Sequence, residues 1–429
     1  MNLSRASLQT RTVLDNGIVV LQWENPAADI IAARLFLRAG SRWEHPQQAG
    51  LSHLLAAVMT KGTEKLSSLE IAEQVESVGA SLSADSTTDY FLLSLKTVSA
   101  DFPAMLQLAA DLLRSPSFPD AEIELERRLT LQAIRSQQEQ PFTLAFDQLR
   151  QIMYGGHPYA LSSLGTEATV AQLQRQDLQL FHQTHFRPDN LVISLSGAID
   201  PAAVIELIQQ VFGNWQAPPT PLPALTLPAI DSQPLRATLP QETQQAIVML
   251  GYLTPGVVPA SNIQDYAVLK LINSYLGNGL SSRLFVELRE KRGLAYEVSA
   301  FYPTRLEPAQ FVVYMGTAPE NTTTALEGLQ REVDRLHDQV LSTEELQTAK
   351  NKVLGQYALG KQTNAQIAQI FGWYETLKLG IEFDQQFQEE IAAVSAEATQ
   401  RVAQRYLTTP YVSLVGPASA ISSLELSPP

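Results

Sequence analysis

The sequence predicts an α+β fold made of two homologous domains that are joined by a proline-rich linker. Six prolines lie between Trp215 and Arg236, in a segment without helical periodicity that divides the 429 residues into halves of similar size. Each half opens with strand-like runs and continues with long helical patterns, in a loosely matching order. We therefore expect an N-terminal domain at 1–215, a linker at 216–235 and a C-terminal domain at 236–429.

The first half begins with strand signals and then changes to a helical pattern. Apolar and β-branched runs at Gly17–Gln22 and Ile30–Arg38 predict two strands. A helical pattern starts near Gly50, and a long helix is expected over Ala121–Gln138. Strands are thus separated from long helices along this half, as in α+β domains.

The second half repeats this order. The apolar run Ala246–Tyr252 predicts a strand, and Ile263–Leu276 has the pattern of a helix. A Gly-Asn-Gly turn and a second, short helix follow, with strands expected from Ala295 onward. A long helix is expected over Thr343–Gly355. The repeated order of elements supports a duplication.

Composition excludes several classes of protein. The chain has 30 basic against 44 acidic residues, a formal net charge of −14, and no basic stripe, so we expect no nucleic-acid partner. The absence of cysteine excludes disulfides, thiol nucleophiles and cysteine-based metal sites. The apolar runs are far shorter than the ~20 residues of a membrane helix. The first residues contain no apolar signal-peptide core, so we expect a cytoplasmic location without a membrane span.

The segment Ala49–Thr63 carries the most informative motif. Its letters, A-G-L-S-H-L-L-A-A-V-M-T-K-G-T, closely resemble the G-L-A-H-x-x-E-H-M-x-x-K-G-T pattern of the pitrilysin and mitochondrial processing peptidase family, the inverzincins. In that family two histidines on one helical face bind zinc, the glutamate between them is the general base, and a glutamate on a later helix is the third protein ligand. The resemblance implies the family's duplicated half-clamshell over nearly the whole chain.

Only one of these four functional positions keeps its side chain. His53 matches the first histidine, whereas Ala56 stands at the base position and Ala57 at the second ligand position. The register on the later helix, 76 residues further on (133 − 57), places Ala133 at the third ligand position. Because a catalytic zinc usually keeps three protein ligands, we expect neither zinc nor another cofactor in this chain.

Other histidines offer a weaker signal. His182 and His185 lie three residues apart on a predicted helix, a spacing that suits a metal pair but is better explained by a surface helix near a turn. His157, after a pair of glycines, also resembles a family segment, and we interpret it as part of a turn that packs the domain.

The segment Ser281–Ser299 carries the second motif. Its letters, S-S-R-L-F-V-E-L-R-E-K-R-G-L-A-Y-E-V-S, are very close to the family's L-R-E-K-x-G-L-A-Y element, in which an arginine and a tyrosine seven residues apart hold the substrate opposite the zinc. Arg289 and Tyr296 occupy those places. An arginine in a last helical turn and a tyrosine on a strand are also common structural features, but the surrounding match favours a functional role.

Taken together, the resemblance implies a zinc-less subunit of a heterodimeric peptidase. Its partner would be a homologous chain with an intact H-x-x-E-H motif and the zinc, and the substrate would be a peptide or unfolded polypeptide. Arg289 and Tyr296 would bind the substrate and stabilise the oxyanion at the partner's site. One alternative is a scaffold without proteolytic role, like the core subunits of the respiratory bc1 complex; another, ranked last, is an autonomous peptidase with an unrecognised metal site.

Overall fold

A computed structural model of the chain describes residues 9–231, 233–257 and 262–421. This part of the chain contains strands and helices in mixed order, as expected for an α+β fold. The strands are β1 (Gln9–Val13), β2 (Val19–Glu24), β3 (Ile30–Leu37), β4 (Ser81–Ser86), β5 (Phe91–Val98), β6 (Leu191–Gly197), β7 (Arg236–Pro240), β8 (Ala246–Thr254), β9 (Glu297–Phe301), β10 (Ala309–Thr317) and β11 (Tyr411–Gly416).

Helices account for most of the remaining described residues. They are α1 (Leu51–Met59), α2 (Ser68–Ser77), α3 (Phe102–Arg114), α4 (Asp120–Gln138), α5 (Pro141–Tyr154), α6 (Glu167–Gln172), α7 (Arg175–His185), α8 (Pro201–Phe212), α9 (Ile263–Gly277), α10 (Thr322–Asp338), α11 (Thr343–Leu359), α12 (Asn364–Thr376), α13 (Phe383–Ala393), α14 (Ala396–Tyr406) and α15 (Ala418–Ile421). A short π-helix spans Phe285–Glu290. Among the described residues, no helix is both long and apolar enough to cross a membrane.

The described residues form two compact units, and neither is contiguous in sequence. Unit 1 comprises residues 9–134, 162–226 and 359–381, and unit 2 comprises the described parts of 135–161, 227–358 and 382–421. Helix α12 from the second half of the chain therefore belongs to unit 1, and helix α5 from the first half belongs to unit 2. The domain boundaries expected from the sequence, at 215 and 236, stay a prediction.

Unit 1 is built on a six-stranded mixed sheet in the order β1-β2-β6-β3-β5-β4, in which β2 and β6 run parallel. Side chains of β3 alternate between its two faces: Ile31, Ala33 and Leu35 enter the main core, which includes residues of α1 and α3. Helix α12 packs on the opposite face. There Gly372 permits a close approach, because a Cβ atom would lie 2.4 Å from the ring of Phe36.

Unit 2 is built on a five-stranded sheet in the order β7-β11-β8-β10-β9, in which β7 and β11 run parallel. Helix α5 covers one face, where Leu149 and Met153 join Met249 and Val312 in an apolar core. A Cβ atom on Gly251 would lie 2.6 Å from the sulfur of Met153, so the close packing of α5 on β8 requires a residue without a side chain at that position. Two sheets, each with helices and one parallel strand pair, confirm the predicted α+β class.

Candidate functional site

The entry to helix α1 fixes the helix that carries the first motif. Gly50 precedes the helix with φ of +96°, a left-handed conformation that favours glycine. The carboxylate of Glu44 accepts hydrogen bonds from the backbone N–H groups of Gly50 at 2.9 Å and Ser52 at 2.6 Å, and so satisfies donors at the helix start. Burial raises the pKa of Glu44 to about 7, although these hydrogen bonds oppose the rise.

His53 lies half-buried on α1. Its pKa is lowered by desolvation, while the charges of Glu126 and Asp85 act in the opposite direction. Glu126 belongs to α4 and makes an ion pair with Lys61, with 3.0 Å between nitrogen and oxygen. A neutral imidazole could bind a metal ion through one ring nitrogen. Glu126, however, is already paired with Lys61.

The other positions of the first motif carry only methyl groups. Ala56 is buried and Ala57 half-buried on α1, whereas Ala133 is exposed on α4. Within the described residues, no group of three histidine, aspartate or glutamate side chains is placed to hold a metal ion. The side chains around His53 therefore do not fit the family's zinc, and no catalytic step can be assigned to this helix.

The remaining candidate histidines are buried. His182 places Nε2 2.9 Å from the carbonyl oxygen of Leu113, and the ring of His185 packs on Phe181 with 4.5 Å between centroids. Burial lowers the pKa of each to about 4, so both are neutral at pH 7. The expectation of a surface helix was wrong for these side chains, because α7 turns them toward the core of unit 1. The buried His157 accepts a hydrogen bond from the backbone N–H of Tyr159 and stabilises its turn.

The second motif folds as a π-helix followed by a tight turn into β9. Leu284 and Leu288 are fully buried and hold the helix on unit 2. Gly293, with φ of +63°, donates its N–H to the carbonyl of Arg289, and Leu294 donates to Leu288. Glycine permits this left-handed conformation, which is common just after the last turn of a helix. The sequence did not predict the π-helix.

Arg289 and Tyr296 lie at the two ends of this turn with their side chains exposed. The Tyr296 side chain is 63% exposed, and its backbone N–H donates to the carbonyl of Gly316 at 2.9 Å. The guanidinium of Arg289 lies 4.9 Å from the ring centroid of Phe285. Within the described parts of the chain, neither side chain has a hydrogen-bond or ion-pair partner. The nearby carboxylate of Glu287 is bound by other cations instead.

The two side chains offer hydrogen-bond donors. A guanidinium and a phenol that make no internal hydrogen bonds can donate to a carbonyl oxygen that becomes an oxyanion. The π-helix supports this interpretation, because such helices occur frequently at functional sites. Sequence reasoning missed Glu44, which lies shortly before the segment Ala49–Thr63 and could have been recognised as an acidic residue close to the start of a helix.

A further candidate, Arg34, also escaped sequence reasoning. It lies on β3 and lines a groove of about 440 Å³ beside helix α12. The only sequence signal is a charged residue inside an otherwise apolar strand.

Comparisons with known proteins agree with the motifs. Residues 19–167 match the family model described as Insulinase (Peptidase family M16), and residues 172–353 match the one described as Peptidase M16 inactive domain. The uncharacterized zinc protease YmxG of Bacillus subtilis is 27% identical, over 96% of this chain and 99% of its own length. An uncharacterized zinc protease of Streptomyces coelicolor is also 27% identical, over 95% of this chain and 89% of its own.

Solved structures share the fold. A peptidase M16 inactive domain from Pseudomonas fluorescens has a TM-score of 0.88 at 24% identity, covering 96% of this chain and 98% of that one. A protease from Helicobacter pylori has a TM-score of 0.88 at 20% identity, covering 96% and 100%. At these identities the likeness shows the fold alone.

Proposed function

Since the chain belongs to peptidase family M16, we propose that it is the zinc-less subunit of a two-chain peptidase. Its partner is a homologous chain with an intact H-x-x-E-H motif, which holds the zinc and the general base. This chain contributes Arg289 and Tyr296, and it is inactive alone. The substrate is a peptide or an unfolded polypeptide, and the reaction is hydrolysis of a peptide bond.

The observation that carries this proposal is the exposure of the Arg289 and Tyr296 side chains without polar partners among the described residues. A structural arginine usually pairs with a carboxylate, as Arg283 of the same segment does with Glu332 at 2.7 Å. Arg289 makes no such pair. Its donors and the phenol of Tyr296 are therefore available to a substrate carbonyl.

The chemistry of the two side chains suits one half of the reaction. Attack of water on a peptide carbonyl turns its oxygen into an oxyanion, and two fixed donors stabilise that charge more than they stabilise the neutral carbonyl. The guanidinium supplies charge and geometry, while the phenol supplies a neutral donor. Neither group can activate water, so the proposal requires a partner.

The experiment that tests the proposal measures peptide cleavage by this chain alone, by an H-x-x-E-H homologue from the same source alone, and by their mixture. Zinc is quantified in each sample. We expect cleavage only in the mixture, with zinc travelling with the homologue. Cleavage by the isolated chain with stoichiometric zinc would refute the assignment, and an inactive mixture would favour a scaffold like the bc1 core subunits.

A further inference from the structure

A groove on the α12 face of unit 1 contains an arginine, Arg34, that has no carboxylate partner among the described residues. The groove has a volume of about 440 Å³ and lies between β3 and helix α12. Its walls include Arg34 from β3, Tyr90 from the turn before β5, and Gln369, Ile370 and Trp373 from α12. All of these residues belong to unit 1.

Arg34 is half-buried, yet its hydrogen bonds are few. Its Nη1 donates to the carbonyl of Ala33 at 3.0 Å and to that of Leu95 at 3.4 Å. In the described part of the chain, Nε and Nη2 have no acceptor, and no carboxylate lies within ion-pair distance. Desolvation lowers the pKa of the guanidinium, and no acidic group opposes that shift. The charge is partly removed from water without compensation, which is unfavourable unless a ligand supplies the anion.

Other arginines of this unit show the usual solution. Arg11 forms an ion pair with Glu375, with 2.8 Å between nitrogen and oxygen. The charge of Glu375 also favours the charged form of Arg38, which lies four residues after Arg34. Arg42 pairs with Asp89 at 3.1 Å. Arg34 differs from these three because no acidic group offsets the desolvation of its guanidinium.

A second cation lies on the same face. In the register of β3 and β5, Arg34 is opposite Ser94 and Ala32 is opposite Lys96, so Lys96 is a diagonal neighbour of Arg34. Lys96 is exposed and has no ion-pair partner among the described residues. On this face the register also places the exposed Asp85, opposite Leu92 of β5, but Arg34 and Lys96 are the nearer pair, and their two positive charges complement an anion bound beside Arg34.

The walls of the groove restrict the chemistry of that anion. The rings of Tyr90 and Trp373 and the side chain of Ile370 suit an apolar group beside the negative charge. The side-chain amide of Gln369 adds a donor that has no partner among the described residues. Tyr90 packs edge-on against Phe36 with 5.3 Å between centroids, so the aromatic wall is held by the core and needs little ordering on binding.

We propose that this groove binds a peptide segment that presents a carboxylate beside an apolar side chain, with Arg34 as the partner of the carboxylate. The inference deepens the proposed function, on which it rests for the peptide nature of the ligand. It names a substrate preference: polypeptides with a glutamate or aspartate next to a large apolar residue.

The test uses two capped hexapeptides of identical sequence, one with a single glutamate between leucine and phenylalanine and the other with glutamine in its place. Binding to the full chain, without a partner, is measured by isothermal titration calorimetry. We expect the glutamate peptide to bind about tenfold more tightly than the glutamine peptide, and Arg34→Gln to remove that difference. Arg128→Gln changes the same charge on an exposed position of α4 and should leave binding unaltered.

Three results overturn the proposal: equal or absent binding of the two peptides, a glutamate preference that survives in Arg34→Gln, and quenching of tryptophan fluorescence that persists in Trp373→Phe. Quenching of Trp373 fluorescence by the glutamate peptide, lost in Trp373→Phe, would place the ligand in this groove; quenching that persists in that variant would place it elsewhere. Failure of the proposed function is distinguishable, because an inactive mixture of this chain with its partner refutes that function, whereas the calorimetric comparison uses this chain alone and requires no turnover.

Discussion

Replacing Arg289 or Tyr296 should separate catalysis from folding. Both side chains are exposed and make no hydrogen bond within the described chain, so Arg289→Ala and Tyr296→Phe remove donors without leaving a buried group unpaired. If both side chains act on the oxyanion, each variant should assemble normally with the partner and lose turnover. A residue that supports only the fold would show the opposite pattern.

The two effects differ in size by enough to be resolved. The contact of the Arg289 guanidinium with the Phe285 ring, at 4.9 Å, contributes about 0.5–1 kcal/mol to stability at an exposed site. Deleting the exposed hydroxyl group of Tyr296 changes stability by less than about 0.5 kcal/mol. Loss of one oxyanion donor lowers turnover by about 10²–10³, or ~2.7–4 kcal/mol in the activation free energy.

The assay compares steady-state cleavage of a fluorogenic peptide by mixtures of the partner with wild-type chain, Arg289→Ala or Tyr296→Phe, alongside urea unfolding of each chain. Arg292→Ala is the matched control, because it removes an exposed arginine from the same turn. We expect turnover to fall only in the first two variants, with KM changed little. Unchanged turnover in both, or an equal loss in Arg292→Ala, would refute the reasoning.

Three further predictions concern pH, metal binding and packing. Burial raises the pKa of Glu44 from 4.5 to about 7, so the native state binds more protons than the unfolded state between these pH values. The free energy of unfolding should therefore fall by at most ~3.4 kcal/mol as pH rises through this window. Urea unfolding from pH 4 to 8 should show this slope in the wild type and a flatter one in Glu44→Gln; identical slopes would exclude Glu44 as the cause. Ala56→Glu combined with Ala57→His restores only two of the three missing groups, so zinc titration should detect no tight binding, and zinc-dependent cleavage by this variant would reveal a third ligand. Gly277→Ala should destabilise the chain by about 1–3 kcal/mol, because its Cβ would lie 1.9 Å from the backbone nitrogen of Ala300, whereas Gly355→Ala, in open space within α11, should stabilise it by about 0.5–1 kcal/mol; equal effects on the urea midpoint would contradict this packing argument.

Much of the fold could be predicted from local sequence patterns. The strand expected at Ala246–Tyr252 is β8, and the helix expected over Ala121–Gln138 is α4. Apolar periodicity identifies such elements because burial of one face is a local property of the sequence. Gly293 was identifiable for a related reason, since a positive φ suits glycine at a helix end.

The side-chain environments of the candidate sites could be predicted less well. His182 and His185 have the spacing of a metal pair, but the spacing does not say that α7 turns both into the core. Arg34 appears in sequence as one charged residue in an apolar strand, and only the packing of α12 on that face shows that it lacks a counter-ion among the described residues. The surroundings of His182 depend on Leu113, 69 positions away, and those of Arg34 depend on a helix that begins at Asn364.

By itself, the sequence determined the α+β class, the duplicated order of elements and, through the family resemblance, the alanines at the base position (Ala56) and at two ligand positions (Ala57 and Ala133). Each of these follows from residue identity or from short periodic patterns. Only the tertiary structure decided that α5 belongs to unit 2 and α12 to unit 1, that the Arg289 and Tyr296 side chains are exposed, and that Arg34 is half-buried with no counter-ion in the described part of the chain. Burial and pairing are set by contacts between distant segments, and no local pattern encodes which side chains those contacts leave without partners.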